Sequence, residues 1–246
     1  MLRLALTCWL ASFGLAHACE QSYTGPPKAQ YSQLSDRYDH GVLGDALEPT
    51  RLTLTYQAKG TGCIKELQVQ LNAPYVFEDT APRLADVTGD GFPEVITVRS
   101  HAKLGAQLAV YGVKNHRLQL IAKTPHIGQK NRWLAPVATA DLDGDGHVEI
   151  AFVDRPHLAK IMRIWRYKNG KLREIASVGD VTNHKIGWNF IASGLRNCGQ
   201  YPELITIDST WKNIVATRLT ATKITTRKIA PYTGPQSVTY ALSCSS

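Results

Sequence analysis

The sequence predicts an all-β fold, a small β-propeller of about four to five four-stranded blades with calcium-type loops. Three observations carry the prediction. A stretch of about 55 residues recurs along the chain, an alternating hairpin pattern follows each copy, and no segment shows a convincing 3.6-residue period.

The repeat is explicit in two places. The run 83–98 (RLADVTGDGFPEVITV) returns as 138–153 (ATADLDGDGHVEIAFV), so that Asp86 and Asp141 stand 55 residues apart. After each loop comes a short β-branched strand, 94–98 or 149–153, and then a hairpin. In the first copy 107–113 and 118–122 flank a turn at 114–116. In the second, 161–167 and 172–178 flank Lys168-Asn169-Gly170-Lys171. Asn-Gly between alternating runs is a strong hairpin signal, because both central residues tolerate positive φ. A final strand leads to the next loop, which makes a four-stranded unit of propeller-blade size. The third copy, around 202–208 with a hairpin at 214–219 and 223–229, is eroded, and 195–199 replace its aspartates. A front unit has hairpin runs at 51–56 and 66–71 and no acidic loop. The expected units are about 36–80, 81–135, 136–187 and 188–236, in a ring of four or five blades or one closed by a last strand at 237–242.

Both loops fit the pattern D-x-[D/T]-G-D-G-x-x-E. Hard oxygen ligands at alternate positions, with glycines permitting a tight turn, are what calcium requires. The candidate ligands are Asp86, Thr88, Asp90, the Phe92 carbonyl and Glu94 in the first loop. In the second they are Asp141, Asp143, Asp145, the His147 carbonyl and Glu149. An EF-hand would carry a Glu at position twelve, where Thr97 and Phe152 stand, so these are strand-to-strand loops. The rival account has the aspartates merely capping turns. Three or four carboxylates within nine residues would then repel without compensation, which favours a metal.

On these residues the chain resembles the FG-GAP/VCBS repeat of integrin-α-like β-propellers, in its small secreted bacterial form. The likeness is strong over roughly 81–155 and weaker over 36–80 and 188–230. It implies a propeller with calcium in the loops. The flanking Phe-Gly and Gly-Ala-Pro elements of the full pattern are absent.

Residues 1–18 have the build of a secretory signal: Arg3, an apolar stretch over 4–15, and the small-x-small site Ala16-His17-Ala18. The rival is a lipoprotein signal, since Cys19 follows the cut, although Ala16 stands where such signals usually carry Leu. Residues 19–246 are then one β-propeller-like domain, exported to the periplasm or secreted. Cys19, Cys63, Cys198 and Cys244 allow three disulfide pairings, of which Cys19 with Cys63 and Cys198 with Cys244 is favoured. No run approaches the ~20 apolar residues of a membrane span.

The chain carries 28 Lys+Arg against 20 acids, a formal charge of +8. A basic surface suits acidic glycans, anionic lipid headgroups or nucleic acid, but the charge is read as a solvated surface, and the expected partner is an unidentified protein or an acidic glycan. The bases are scattered without interleaved aromatics, which with export argues against nucleic acid. His126, His157 and His184 follow the repeats and are read as separate loop histidines. Were some to converge in the channel with Asp154 and Arg155, they would suit acid–base chemistry. Trp133, Trp165, Trp188 and Trp211 are read as blade packing. No nucleophile-elbow, metal-hydrolase or phosphate-loop motif is present. The expected function is therefore a calcium-binding, monomeric binding or interaction module. The alternatives are a hydrolase or lyase of an envelope polymer with a channel site at His157, Asp154 and Arg155, and a passive envelope structural protein.

Overall fold

The computed structural model describes residues 25–58, 63–221 and 223–244; the leader-like segment 1–18 and Cys19, with its expected bridge to Cys63, lie outside them. Among the described residues, four antiparallel sheets follow one another along the chain. The first holds β1 (Lys28–Ser35), β2 (Glu48–Gln57) and β3 (Ile64–Gln70), in the order β1-β2-β3. The second holds β4 (Tyr75–Phe77), β5 (Arg83–Ala85), β6 (Glu94–His101), β7 (Gly105–Lys114) and β8 (Arg117–Lys123). Here β4 and β5 share one edge of β6. The third runs β9 (Leu134–Ala140), β10 (Glu149–Asp154), β11 (Ile161–Lys168) and β12 (Lys171–Val178). The fourth comprises β13 (Val181–Thr182), β14 (Gly194–Arg196), β15 (Glu203–Asp208), β16 (Asn213–Leu219) and β17 (Ile224–Pro231), followed by helix α1 (Pro235–Leu242). This is a small β-propeller architecture of four blades.

Burial explains the strand sequences. β6, β10 and β15 are covered on both faces by neighbouring blades, so they are apolar almost throughout rather than alternating. Exposed positions of the outermost strands β8, β12 and β17 carry Arg117, Lys123, Lys171, Arg173, Arg227 and Lys228. Charged edges resist pairing with another chain. The hairpin turns are of the left-handed kind that suits twisted strands: φ is 50° and 59° at Asn115 and His116, and 52° and 74° at Asn169 and Gly170.

Apolar clusters fill the spaces between consecutive sheets. Leu52, Leu54, Phe77 and Tyr111 lie between the first and second. Ile96, Val98, Leu108, Trp133 and Ile150 lie between the second and third, and Val153, Met162, Ile164 and Leu204 between the third and fourth. The first and fourth sheets meet through the segment between β1 and β2. Tyr38, Val42 and Leu43 are buried there, Gly187 N–H donates to the Val42 carbonyl at 3.0 Å, and Gly44 packs against Gly187.

Two expectations are corrected. Residues 237–242 form the body of α1, not a closing strand. Pro235 opens the helix, and Val238 and Ala241, three apart on one face, cover Ile205, Ile207, Ile214 and Ala216. A terminal blade has an apolar face with no further blade to bury it, and the helix does so. The second correction is β1, which the front unit did not include; it completes the first sheet by pairing with β2 from Lys28↔Thr55 to Ser35↔Glu48. The bridge between Cys198 and Cys244 is present, and its Cα atoms lie 5.4 Å apart.

Candidate functional site

Antiparallel connectivity sorts the chemistry to two ends of the blades. The acidic loops, between β5 and β6 and between β9 and β10, lie at one end with the outer hairpin turns. The β6–β7 and β10–β11 turns and the connections between sheets lie at the other, and they carry most of the histidines.

At the first end, the loop backbone wraps around its leading aspartate. Asp86 accepts from Gly89, Asp90 and Gly91 N–H at 2.7, 3.1 and 2.8 Å. Asp141 accepts from Gly144 and Gly146 N–H at 2.8 and 2.9 Å. Gly89, Gly91, Gly144 and Gly146 all have φ between 75° and 85°, a conformation only glycine adopts freely. The ninth-position glutamates turn back into the loop. Glu94 accepts from Val87 and Thr88 N–H at 2.9 and 3.1 Å, and from the Thr88 hydroxyl at 3.2 Å. Glu149 accepts from Leu142 N–H at 2.9 Å. Asp90 and Asp145 accept from the N–H of Phe92 and His147. Burial pushes both glutamate carboxyls above the ordinary carboxylate range, and these N–H groups pull them back.

In the second loop, oxygens of Asp141, Asp143 and Glu149 lie within 4.8 Å of one another. Among the described residues this is the one group of three metal-ligating side chains so placed. The Asp143 side chain is 6% exposed, and its buried Oδ1 has no hydrogen-bond partner. An orphaned carboxylate oxygen beside two others fits a hard cation. Asp141, Asp143 and Glu149 would hold it, and calcium there would tie the loop to β10. The first loop carries the same turn, but Thr88 in place of an acid leaves it without such a group.

Sequence reasoning missed one residue of this loop. Arg166, on β11, stands opposite Glu149 in the strand register. Its guanidinium donates to Glu149 at 2.5 Å, Asp145 at 2.6 Å and Asp143 at 2.8 Å. The compensating positive charge that the carboxylates need is thus supplied within the protein. The corresponding position in the second sheet is Gly112, packed beside the Glu94 side chain, and in the fourth it is Arg218, whose guanidinium lies over the Tyr201 ring. In the fourth sheet the loop aspartates are gone, and Glu203 pairs instead with Arg196 and Arg227 at 2.7 and 2.8 Å. Cys198 sits in that loop, so a covalent link to the chain beyond α1 stands where its counterparts carry acids.

At the other end, the predicted histidines divide. His157 Nε2 and His184 Nδ1 are 3.0 Å apart, and His184 Nε2 lies 2.8 Å from the Trp188 carbonyl. His126 is elsewhere, bonded to the Gly105 carbonyl at 2.8 Å and close to His101 and Tyr75. Asp154 is buried in ion pairs with Arg155 and Arg163 at 2.8 and 2.9 Å. Asp154 and His157 line different cavities, and Arg155 borders both. Trp133 is buried in the core and donates to the Glu78 carbonyl at 2.7 Å. Trp165 packs against the same core, while Trp188 and Trp211 pack beside α1.

Three buried carboxyls near the centre also escaped the sequence reading, although an acidic pair inside the apolar run 75–79 was a usable signal. Glu78 is held by His40 Nδ1 and the Ser100 hydroxyl. Asp79 pairs with Arg83 at 2.9 Å and accepts from Val98 N–H and the Tyr31 hydroxyl. Glu48 has a buried oxygen without a partner, and burial, then Glu78, Asp45 and Asp79, push its pKa to about 9. The folded chain therefore holds a proton that the unfolded chain releases above about pH 4.3. Stability from this group is present below that pH and is lost as pH rises through about 9. Glu48→Gln is expected to add roughly 1–2 kcal/mol at pH 8, or about 2–8 °C in melting temperature, and almost nothing at pH 4. Melts of both proteins at the two pH values check it; a variant that melts lower at pH 8 overturns the assignment.

Comparison with known proteins agrees with the loop geometry. The FG-GAP-like repeat family model matches residues 86–152, from the first acidic loop to the strand after the second. No curated protein matches the sequence. Among solved structures, a crystal structure of a protein from Lactobacillus plantarum is similar, at 13% identity and a TM-score of 0.41. The match covers 76% of this chain and 53% of that one, so the chain spans about half the length of the protein it matches. Over residues 86–152, with both acidic loops included, the chain is similar to the FG-GAP-like repeat.

Proposed function

We propose that this protein is an exported, monomeric, calcium-stabilised β-propeller that acts as a binding module for a protein or an acidic glycan. The observation that carries the calcium reading is the Asp141, Asp143 and Glu149 oxygen cluster with its unpartnered Asp143 Oδ1. Export is supported by the signal-like leader and by the Cys198–Cys244 bridge, since disulfides persist in oxidising compartments. A binding rather than catalytic role is supported by the separation of Asp154 from His157, which leaves the acid committed to two arginines.

Calcium is expected to raise the melting temperature. At ~1 mM calcium and a dissociation constant of ~10⁻⁴ M, one site adds roughly 1.4 kcal/mol, a rise of about 3–6 °C. Asp143→Ala should remove most of this rise, and Thr88→Ala little of it. Melts in calcium and in chelator decide the matter. Identical melting temperatures for the unaltered protein would defeat the calcium assignment. A larger loss of response in Thr88→Ala than in Asp143→Ala would move the site to the first loop.

A further inference from the structure

The end of the blades away from the acidic loops holds a cavity of about 220 Å³, bordered by His40, Arg132, Trp133, Arg155, His157 and Ile186. Its polar groups are fixed by bonds made behind them. A carbonyl oxygen can only accept, so the 2.8 Å contact with the Trp188 carbonyl places a proton on His184 Nε2. In neutral His184, Nδ1 is then an acceptor, and the 3.0 Å contact places the His157 proton on Nε2. This leaves His157 Nδ1 with a lone pair. Burial, and then His184, lower the His157 pKa to about 4, so the ring is neutral at pH 7. His40 is held through Nδ1 by Glu78, itself fully buried and bonded to Ser100, which leaves His40 Nε2 as the remaining ring nitrogen. Anchoring one ring nitrogen in this way orients the other.

Two guanidiniums stand beside these rings. Arg155 is neutralised by Asp154, whereas Arg132 has only the Asn131 carbonyl and no carboxylate partner among the described residues. A transition metal would accept imidazole lone pairs, but the Arg132 guanidinium, which no carboxylate neutralises among the described residues, disfavours a cation. A ligand that suits the whole cavity donates hydroxyl protons to histidine and offers an anion to arginine. Trp133 and Ile186 supply apolar lining on which the carbon face of such a ligand could rest.

We infer that this cavity binds a hydroxylated carboxylate of the uronic-acid type, with Arg132 taking the carboxylate and His157 Nδ1 accepting from a hydroxyl. The inference names a ligand class for the binding role proposed above, and it does not depend on calcium in the loops.

The test is titration of purified protein with glucuronate, glucose and acetate, followed by calorimetry and by histidine ¹⁵N spectra. Glucuronate is expected to bind at least tenfold more tightly than either of the others and to shift the His157 Nδ1 resonance. Arg132→Ala should weaken glucuronate about tenfold or more and leave glucose unchanged, as a charge-assisted hydrogen bond requires. His157→Phe should weaken glucuronate and glucose alike. Each variant is melted alongside, and the His157 resonance of the unaltered protein reads the contact without any substitution. Glucuronate binding no tighter than acetate, or an unmoved His157 resonance at saturation, overturns the inference. Glucuronate binding in a protein whose melts ignore calcium would defeat the calcium reading and leave this one standing.

Discussion

Arg166→Ala is expected to lower stability in chelator by about 2–4 kcal/mol, roughly 4–16 °C in melting temperature for a chain of this size. The guanidinium is 18% exposed and pairs with Glu149, 0% exposed, and Asp143, 6% exposed. Removing one partner of a buried pair leaves the other charges desolvated and unbalanced, which costs more than the pair contributes. The estimate is kept below the fully buried range because Asp145, the third partner, is 36% exposed and is served by water. The same substitution should enlarge the calcium response, since a fixed positive charge no longer competes for Asp143 and Glu149. Calcium would then recover much of the lost stability. Melts of both proteins in calcium and in chelator check this. A variant that melts like the unaltered protein in chelator shows that Arg166 compensates nothing. A calcium response no larger than that of the unaltered protein shows that arginine and metal do not share the loop.

Breaking the Cys198–Cys244 bridge should have a comparable effect by a different route. The bridge closes a sequence separation of 46 residues, and the chain-entropy model assigns such a loop about 4 kcal/mol. Cys198→Ser with Cys244→Ser is therefore expected to lower the melting temperature by roughly 8–16 °C. The consequence has a definite place. α1 covers the apolar face of the last blade, and Arg196 donates to the Ala241 carbonyl at 3.0 Å, so the helix and β14 should loosen first. Hydrogen exchange at 235–242 and 194–196 would show that local opening. Unchanged exchange there, with a melting temperature within 2 °C of the unaltered protein, would mean that packing alone holds the helix.

The two acidic loops and the cysteine-bearing loop invite one comparison. Each leads into the long inner strand of its blade, β6, β10 or β15, and each is tied down by something other than backbone hydrogen bonds. In the second sheet the loop aspartate and Thr88 do this, in the third carboxylates and Arg166, and in the fourth a disulfide with Arg196 and Arg227. A loop carrying glycines at positive φ has little intrinsic stiffness, so fixing it requires charge pairing, a ligand or a covalent bond.

Much of the fold was legible in the residues because its signals are local. The 55-residue spacing, the Asn169-Gly170 turn and the glycines of the two loops each state a backbone conformation within a few residues. Strand and hairpin formation followed from them. The end of the chain was not legible in the same way. Residues 237–242 alternate well enough for a strand, and only the uncovered face of Ile205, Ile207, Ile214 and Ala216 selects the helix that packs there. β1 escaped for a similar reason: its residues are half exposed, and its pairing with β2 lies across an intervening loop.

For the site, the sequence by itself determined the loop acids and their turns, because ligand spacing and glycine placement are properties of nine consecutive residues. Tertiary structure decided what neutralises them. Arg166 reaches Asp143 from 23 residues away, on the strand opposite Glu149. It also decided which histidines meet. His40 and Glu78 are 38 residues apart, and His157 and His184 are 27 apart. Those pairs depend on which blades adjoin and on the segment 38–43 entering the centre. Charge compensation and side-chain convergence act through space, and the register of the sheets carries them, whereas the turns that create the blades act along the chain.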